Sequence, residues 1–301
     1  MAETKTLKIT MGPVPYLWSG EKWRDFYYRI ADSGHVDAVT LGEAVCSKRD
    51  HFTRPFLPEV VERLERSGKA VALASLILVT QEREVAATRK LAAATSLVEA
   101  NDLSALRLLA GRPHLVGPFV NVYNAATARL LIKRGAVRLC LGPELSETSI
   151  GPIIAGAPDA EYEVFAFGRL PLAISARCAH ARAKGHAKDN CQFVCGDEPD
   201  GLDVDTLDGQ PFLSINGVQT MSRHCQVLFG ELPGLAALGV THLRLSPQDC
   251  DMVAVAQLFA RVRDGALAPD EAMERLREIY PQAPFANGFL HGEAGMNWVA
   301  A

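Results

Sequence analysis

A (β/α)8 barrel of the TIM-like kind is the fold class this sequence predicts, and three observations predict it. Short apolar runs of β type alternate with segments of helical period from one end of the chain to the other. Glycine or a capping side chain stands at several of the junctions between them. The chain has 301 residues, 48% of them hydrophobic, which is enough for one large α/β domain with a full core.

The elements follow in order. The first strand is expected at 7–11 with a helix at 22–32, and the second strand at 36–41 with a helix at 58–67. Gly68 closes that helix, because a residue without Cβ takes the left-handed cap freely. A third strand at 71–78 precedes a helix at 82–93, and a less strongly marked fourth at 95–99 precedes one at 103–110. The fifth strand is placed at 115–122, and Asn124 is the N-cap of the helix at 125–134, which Gly135 ends. The sixth strand, 137–141, leads to a helix at 144–154, and the seventh strand is placed at 161–167. There the rhythm breaks. An insertion at about 177–223 carries a cysteine-rich loop and a hairpin around Asn216-Gly217, read as a type I′ turn. A helix at 226–238 ended by Gly239, an eighth strand at 241–245 and a helix at 251–263 complete the pattern. From about 268 a C-terminal arm, helical at 270–280, is expected to close one barrel end or form an interface. The expected organisation is a single barrel domain over 1–301 with that insertion and that arm.

Thirty-one Lys and Arg against 35 Asp and Glu leave a net charge of −4, which argues against a general nucleic-acid binder. No apolar leader opens the chain and no run of about 18 apolar residues occurs, so a cytoplasmic protein without a membrane span is expected. An odd number of cysteines, seven, with Cys46, Cys140, Cys225 and Cys250 scattered along the chain, fits a reducing compartment better than a disulfide framework.

Cys178, Cys191 and Cys195 form a C-x12-C-x3-C run in a polar, glycine-containing loop. Three soft thiolate ligands so close together point to an iron–sulfur cluster, with structural zinc or free thiols as alternatives. In a barrel, residues just past the C-terminal ends of the strands share one face. Cys46 follows the second strand and falls on that face, so it is the first choice for a fourth ligand. Cys250, after the last strand, is second and Cys225 third, while Cys140 inside the sixth strand reads as a small buried hydrophobe. His180 and His186 flank the run and could ligate zinc or complete a mixed cluster site, but with enough cysteines at hand they read as polar neighbours or surface groups.

Other residues fall near the same mouth. Glu43 ends the second strand and is either an acid–base group raised by burial or a hydrogen-bond acceptor. Lys48, Arg49 and Arg177 adjoin the cysteines and suit charge compensation, and Arg49, Arg54 and Arg169 suit an acidic ligand. Asn121, Tyr123 and Ser246 project from strand ends, to orient a substrate or to cap turns. Phe165 and Phe167 read as barrel core rather than as a stacking pair. Neither H-E-x-x-H nor G-x-S-x-G occurs, so no peptidase site is legible.

The stretch 163–175 (EVFAFGRLPLAIS) before the run, Gly42-Glu43 leading to Cys46, Asn121-x-Tyr123-Asn124 and Leu243-Arg244-Leu245-Ser246-Pro247-Gln248 together carry a resemblance. The chain resembles the collagenase-like U-type peptidase family 32, in the branch that serves oxygen-independent ubiquinone biosynthesis. The resemblance implies a 4Fe-4S cluster on Cys46, Cys178, Cys191 and Cys195, and a heterodimer with a UbiU-like protein. It further implies hydroxylation of a prenylated ring with prephenate as hydroxyl donor, and contact with a lipid-carrier protein of the quinone pathway. The family pattern carries another cysteine before Cys178, where this chain has Ala173 and Ile174, which leaves the fourth ligand to Cys46. A non-catalytic electron-transfer or structural role beside a catalytic partner is the alternative. Transfer RNA hydroxylation, which calls for appended basic domains, and peptidase activity are more distant ones.

Overall fold

The computed structural model describes residues 6–300. Seven parallel strands come first: β1 (Lys8–Met11), β2 (Ala38–Leu41), β3 (Ala70–Ala74), β4 (Leu97–Ala100), β5 (His114–Val116), β6 (Ala136–Cys140) and β7 (Glu161–Ile174). The insertion supplies β8 (Leu202–Asp205), β9 (Pro211–Asn216) and β10 (Gln219–Val227), and the eighth barrel strand is β11 (His242–Leu245). Each barrel strand pairs with the next, and β11 pairs in parallel with both β7 and β1, so the barrel is closed.

The helices around it are α1 (Gly20–Asp32), α2 (Asp50–Thr53), α3 (Leu57–Arg66), α4 (Glu82–Ala93), α5 (Leu103–Leu109), α6 (Ala125–Lys133) and α7 (Glu147–Gly156). They continue with α8 (Ala179–Ala183) in the insertion, then α9 (Leu232–Leu238), α10 (Met252–Arg263) and α11 (Pro269–Ile279). Local chemistry starts them: Ser19 Oγ accepts from Lys22 N at 3.1 Å, and Asn124 Oδ1 from Thr127 N at 2.9 Å. Gly239, at φ 95°, ends α9 in the left-handed cap.

Strand alternation divides the interior into two zones. Ile9, Met11, Val39, Leu41, Val98, Leu139, Val164, Leu243 and Leu245 face the helices and join the main apolar core. The alternate residues face the barrel axis, where Arg244 Nη1 donates to Glu99 Oε2 at 2.7 Å and to Glu163 Oε2 at 3.1 Å. These three side chains come from β4, β7 and β11, and only the closed barrel lets them meet. A β-bulge in β7 places Arg244 opposite Phe165 but Leu245 opposite Phe167. Phe165 therefore faces inward, whereas Phe167 packs outward, its ring 6.3 Å from Phe259 of α10.

Several boundaries differ from expectation, most by one to three residues, and the larger shifts in β5, β7 and the helix after β10 have a physical reason. β5 stops at Val116 rather than 122, because Pro118 has no amide to donate and Gly117 packs so close that a Cβ there would lie 1.8 Å from Asn101 Oδ1. β3 stops at Ala74 rather than 78. β7 runs on to Ile174 because β10 pairs with it antiparallel, from Val227 opposite Phe167 to Gln219 opposite Ile174. For the same reason the helix expected from 226 begins only at Leu232.

The hairpin turn is also shifted by one residue. Asn216 pairs with Gln219, so Gly217 and Val218 form the loop, and only Gly217 has a positive φ, 62°. That is the type II′ pattern rather than I′. Asn216 is the last residue of β9, not a turn residue.

The arm after α11 forms a short strand, β12 (Phe285–Ala286), parallel to β10. The start of the chain at 1–5, expected to hold no leader, lies outside the described residues. Among the described residues no helix is long and apolar enough to cross a membrane.

Candidate functional site

Cys46, Cys178, Cys191 and Cys195 line one small cavity beside the C-terminal ends of the barrel strands. Each is held there by a local device. The loop after β2 folds over the Glu43 carboxylate, whose Oε1 accepts from Val45 N at 2.7 Å and Cys46 N at 2.8 Å. Burial pushes the Glu43 carboxyl up, and Arg49 with the two amides opposes that shift. Of its two expected roles, the structure displays the acceptor that shapes the Cys46 loop.

Cys178 adopts φ 46° where the β7–β10 ribbon turns into α8, and Gln192 and Phe193, between the other two cysteines, adopt 48° and 57°. Among the described residues these three are all the non-glycine positions with positive φ. Such backbone is costly and persists only where its surroundings enforce it, which marks the cysteine loop as built for a purpose. Phe193 supplies part of the enforcement, packing edge-on against His51 and Phe52 with ring centroids 5.3 and 5.1 Å away. Lys48 Nζ ties the two loops together, donating to Lys188 O at 2.7 Å and Asp189 O at 3.0 Å.

Arg49 is the charged centre of the cavity wall. It is only 2% exposed, donates from Nη2 to Asn216 Oδ1 at 2.6 Å and from Nη1 to Pro15 O at 3.1 Å, and lies beside Cys46 and Cys195. Burial pushes both thiols up and the Arg49 guanidinium pulls them back toward the thiolate. A Cβ on Gly217 would stand 2.5 Å from Arg49 Nη2, so the glycine both makes the turn and admits the guanidinium.

The four thiols line one cavity beside a buried guanidinium that offsets thiolate charge, a soft donor set that could hold an iron–sulfur cluster or a zinc ion. Among the described residues no three His, Cys, Asp or Glu side chains already converge on one ion.

The remaining candidates separate cleanly. His180 is fully buried, not a surface group, and its Nε2 lies 3.0 Å from Oε2 of Glu198, whose Oε1 accepts from Lys184. His186 borders a neighbouring groove with Arg177 and Arg182. Cys140 is buried in β6; Cys225 is buried in β10 with its thiol pushed up to about 12 by burial; Cys250 packs with its Sγ 3.7 Å from Met252 Sδ. None of the three lines the cysteine cavity. Arg54 forms a surface ion pair with Asp50. Asn121 and Tyr123 are exposed and line neither the cysteine cavity nor the barrel mouth, and Tyr123 donates instead to Glu144. They are displaced because β5 ends early and turns Phe119 into the mouth in their place.

Phe165, Arg169 and Ser246 do reach the mouth, joined there by Gln219, Met221 and Arg244. The last three carried no signal of their own, although Arg244 interrupts an apolar strand in Leu243-Arg244-Leu245, a pattern that marks a charge on the barrel axis.

Fold and site together define a (β/α)8-barrel protein with a cysteine-lined cavity at the C-terminal face of its strands. The chain belongs to peptidase family U32, whose profile matches residues 23–300. Among solved structures it is similar to the U32 peptidase Mk0906, at 11% identity and TM-score 0.45, over 82% of this chain and 95% of that one. It is also similar to thiamine phosphate pyrophosphorylase from Pyrococcus furiosus, at 8% identity and TM-score 0.45, over 88% of this chain and 99% of that one. A third is dihydropteroate synthase from Thermus thermophilus, at 15% identity and TM-score 0.43, over 85% of this chain and 93% of that one.

Proposed function

We propose that this chain is the iron–sulfur, UbiV-like subunit of an oxygen-independent ubiquinone-ring hydroxylase, working with a UbiU-like partner and taking the hydroxyl group from prephenate. One observation carries the reading: Cys46, more than a hundred residues before the run, lines the same cavity as Cys178, Cys191 and Cys195. These four would hold a 4Fe-4S cluster, which when bound supplies one-electron redox chemistry. The chain's own contribution is placement and charge. Glu43 holds the Cys46 loop, Arg49 and Lys48 offset the thiolates, and Ala44, Val45, Ile77 and Val218 pack an apolar layer against Cys178 that limits water.

A second reading has the subunit transferring electrons to, or stabilising, a catalytic partner. It is favoured by the same four cysteines, since a cluster with four thiolate ligands keeps no iron position open to substrate. A lipid-carrier protein of the quinone pathway fits either reading as the source of the ring substrate.

The test is anaerobic purification of the chain alone and with its UbiU-like partner. Iron, sulfide and the visible spectrum are compared between wild type and Cys46→Ala, and ring hydroxylation is assayed with prephenate. Stoichiometric iron and sulfide that fall in the variant, with hydroxylation only by the pair, are the expected result. Zinc in place of iron, or cluster content unchanged in Cys46→Ala, would sink the proposal.

A further inference from the structure

Beside the cysteine cavity an open groove runs between the start of α4 and the cysteine loop, walled by Thr80, Gln81, Arg177, Arg182, His186 and Lys188. Its charge departs from that of the chain. The whole sequence carries −4, yet over 176–190 four Lys and Arg stand against a single carboxylate, Asp189. Arg177 and Arg182 are exposed. Among the described residues neither they nor Lys188 forms an ion pair, whereas Lys184 is engaged by Glu198. Lys48 adds a further cation behind the groove, donating to Lys188 O at 2.7 Å and Asp189 O at 3.0 Å. Like charges gathered without counter-charges repel one another, and what they supply in return is a local positive field.

The groove adjoins the cysteines directly. Arg177 precedes Cys178, and Lys188 lines both the groove and the cysteine cavity. Its form then selects among occupants. Being open to solvent, it gives a small anion no enclosure. No Phe, Tyr or Trp among the described residues lines it, so unpaired bases find nothing to stack on. Three free cations are also few for the many phosphate contacts on which nucleic-acid affinity depends. They fit a brief protein–protein encounter steered by opposite charge, the kind that electron carriers make.

We propose that the groove docks a small acidic one-electron carrier protein, its carboxylates facing Arg177, Arg182 and Lys188, and so delivers electrons to the cysteine site. The inference rests on the proposed function for the cluster that receives them. With a flavodoxin as carrier the step balances one for one. The anionic flavin hydroquinone loses one electron and becomes the neutral semiquinone, the oxidised cluster gains that electron, and no proton moves and no bond forms or breaks.

The probe is oxidised flavodoxin, titrated calorimetrically into the anaerobically purified full chain, alone and paired with its UbiU-like partner, with iron and sulfide measured on the same preparations. Binding is expected to weaken as salt rises. It should be about tenfold or more weaker in Arg177→Glu/Arg182→Glu. Lys133→Glu/Arg134→Glu, the same change of charge at the far end of α6, should leave it as in wild type. Mixing flavodoxin hydroquinone with the chain should yield semiquinone, more slowly in the groove variant. Should that variant lose iron, Arg182→Glu alone, exposed and clear of the cysteine cavity, is expected to weaken binding about threefold. No binding to a chain that holds iron, or equal loss in both double variants, overturns this inference and leaves the proposed function standing. Binding to the chain that vanishes in the pair assigns the groove to the UbiU-like partner and overturns it too, as does transfer RNA bound more tightly through the same arginines. A chain that holds no iron removes the proposed function and the carrier with it.

Discussion

Replacing Arg244 with methionine takes away the cation that bridges two buried carboxylates. Its guanidinium makes three short contacts, at 2.7 and 2.9 Å to Glu99 and 3.1 Å to Glu163, and all three side chains are at most 3% exposed. Removing one member of a buried ion-pair set leaves charge uncompensated and costs about 3–5 kcal/mol, the loss expected here near pH 7.5. The pH dependence should then change sign. In the wild-type chain burial pushes Glu163 up, but Arg244 outweighs it and holds the carboxyl below the usual range. Its stabilisation is complete above the unfolded value of about 4.3 and is lost as pH falls through the folded value. Without Arg244 the largest opposition to burial is gone, and only the weaker pull of Arg138, His242 and the Thr10 hydroxyl remains against it. The folded state then takes up protons more readily than the unfolded chain, so the variant gains stability as pH falls toward about 5.5. Urea unfolding followed by far-ultraviolet circular dichroism at about pH 7.5 and 5.5 reads both effects, and Arg244→Met/Glu163→Gln should recover part of the loss. A deficit under about 1 kcal/mol at the higher pH, or one equal at both, would refute the buried network.

Gly217→Ala should lower stability by about 1–3 kcal/mol, because φ 62° strains any L side chain and the new Cβ would stand 2.5 Å from Arg49 Nη2. An unchanged melting temperature would contradict the register of the hairpin. His242, buried in β11, is pulled down to about 4 by burial first and then by Arg138. The unfolded chain protonates this side chain near about 6.5, so stability should fall between about pH 6.5 and 4 by up to about 3 kcal/mol. That slope should flatten in His242→Asn, measured by urea midpoints across the same range.

The barrel was legible because each of its parts is written locally. Apolar alternation marks β1, β2, β6 and β11; Asn124 starts α6; Gly68, Gly135 and Gly239 take positive φ where helices give way to strands. Legibility failed where a distant segment decides an element's length. β7 reads as a strand of ordinary length until β10 pairs along its whole second half, and the same pairing removes the first turn of the helix expected at 226. In the site, Cys46 was selected by topology, since the barrel face is predictable from strand order. Asn121 and Tyr123 were misplaced because their position depended on where β5 ends, and Gly117-Pro118 ends it early. The β-bulge that separates Phe165 from Phe167 left no trace that pattern alone could reveal.

By itself, then, the amino-acid order determined the sequence of elements, their caps and the spacing of the cysteine run, because these rest on interactions within a few residues. Tertiary structure decided what lies across the barrel: Arg244 against Glu99, 145 residues away, and Glu163, 81 away, and Arg49 against Asn216, 167 away. Those partners meet only once eight strands close on themselves, and a charge buried on the barrel axis has no local pattern to announce which carboxylate will neutralise it.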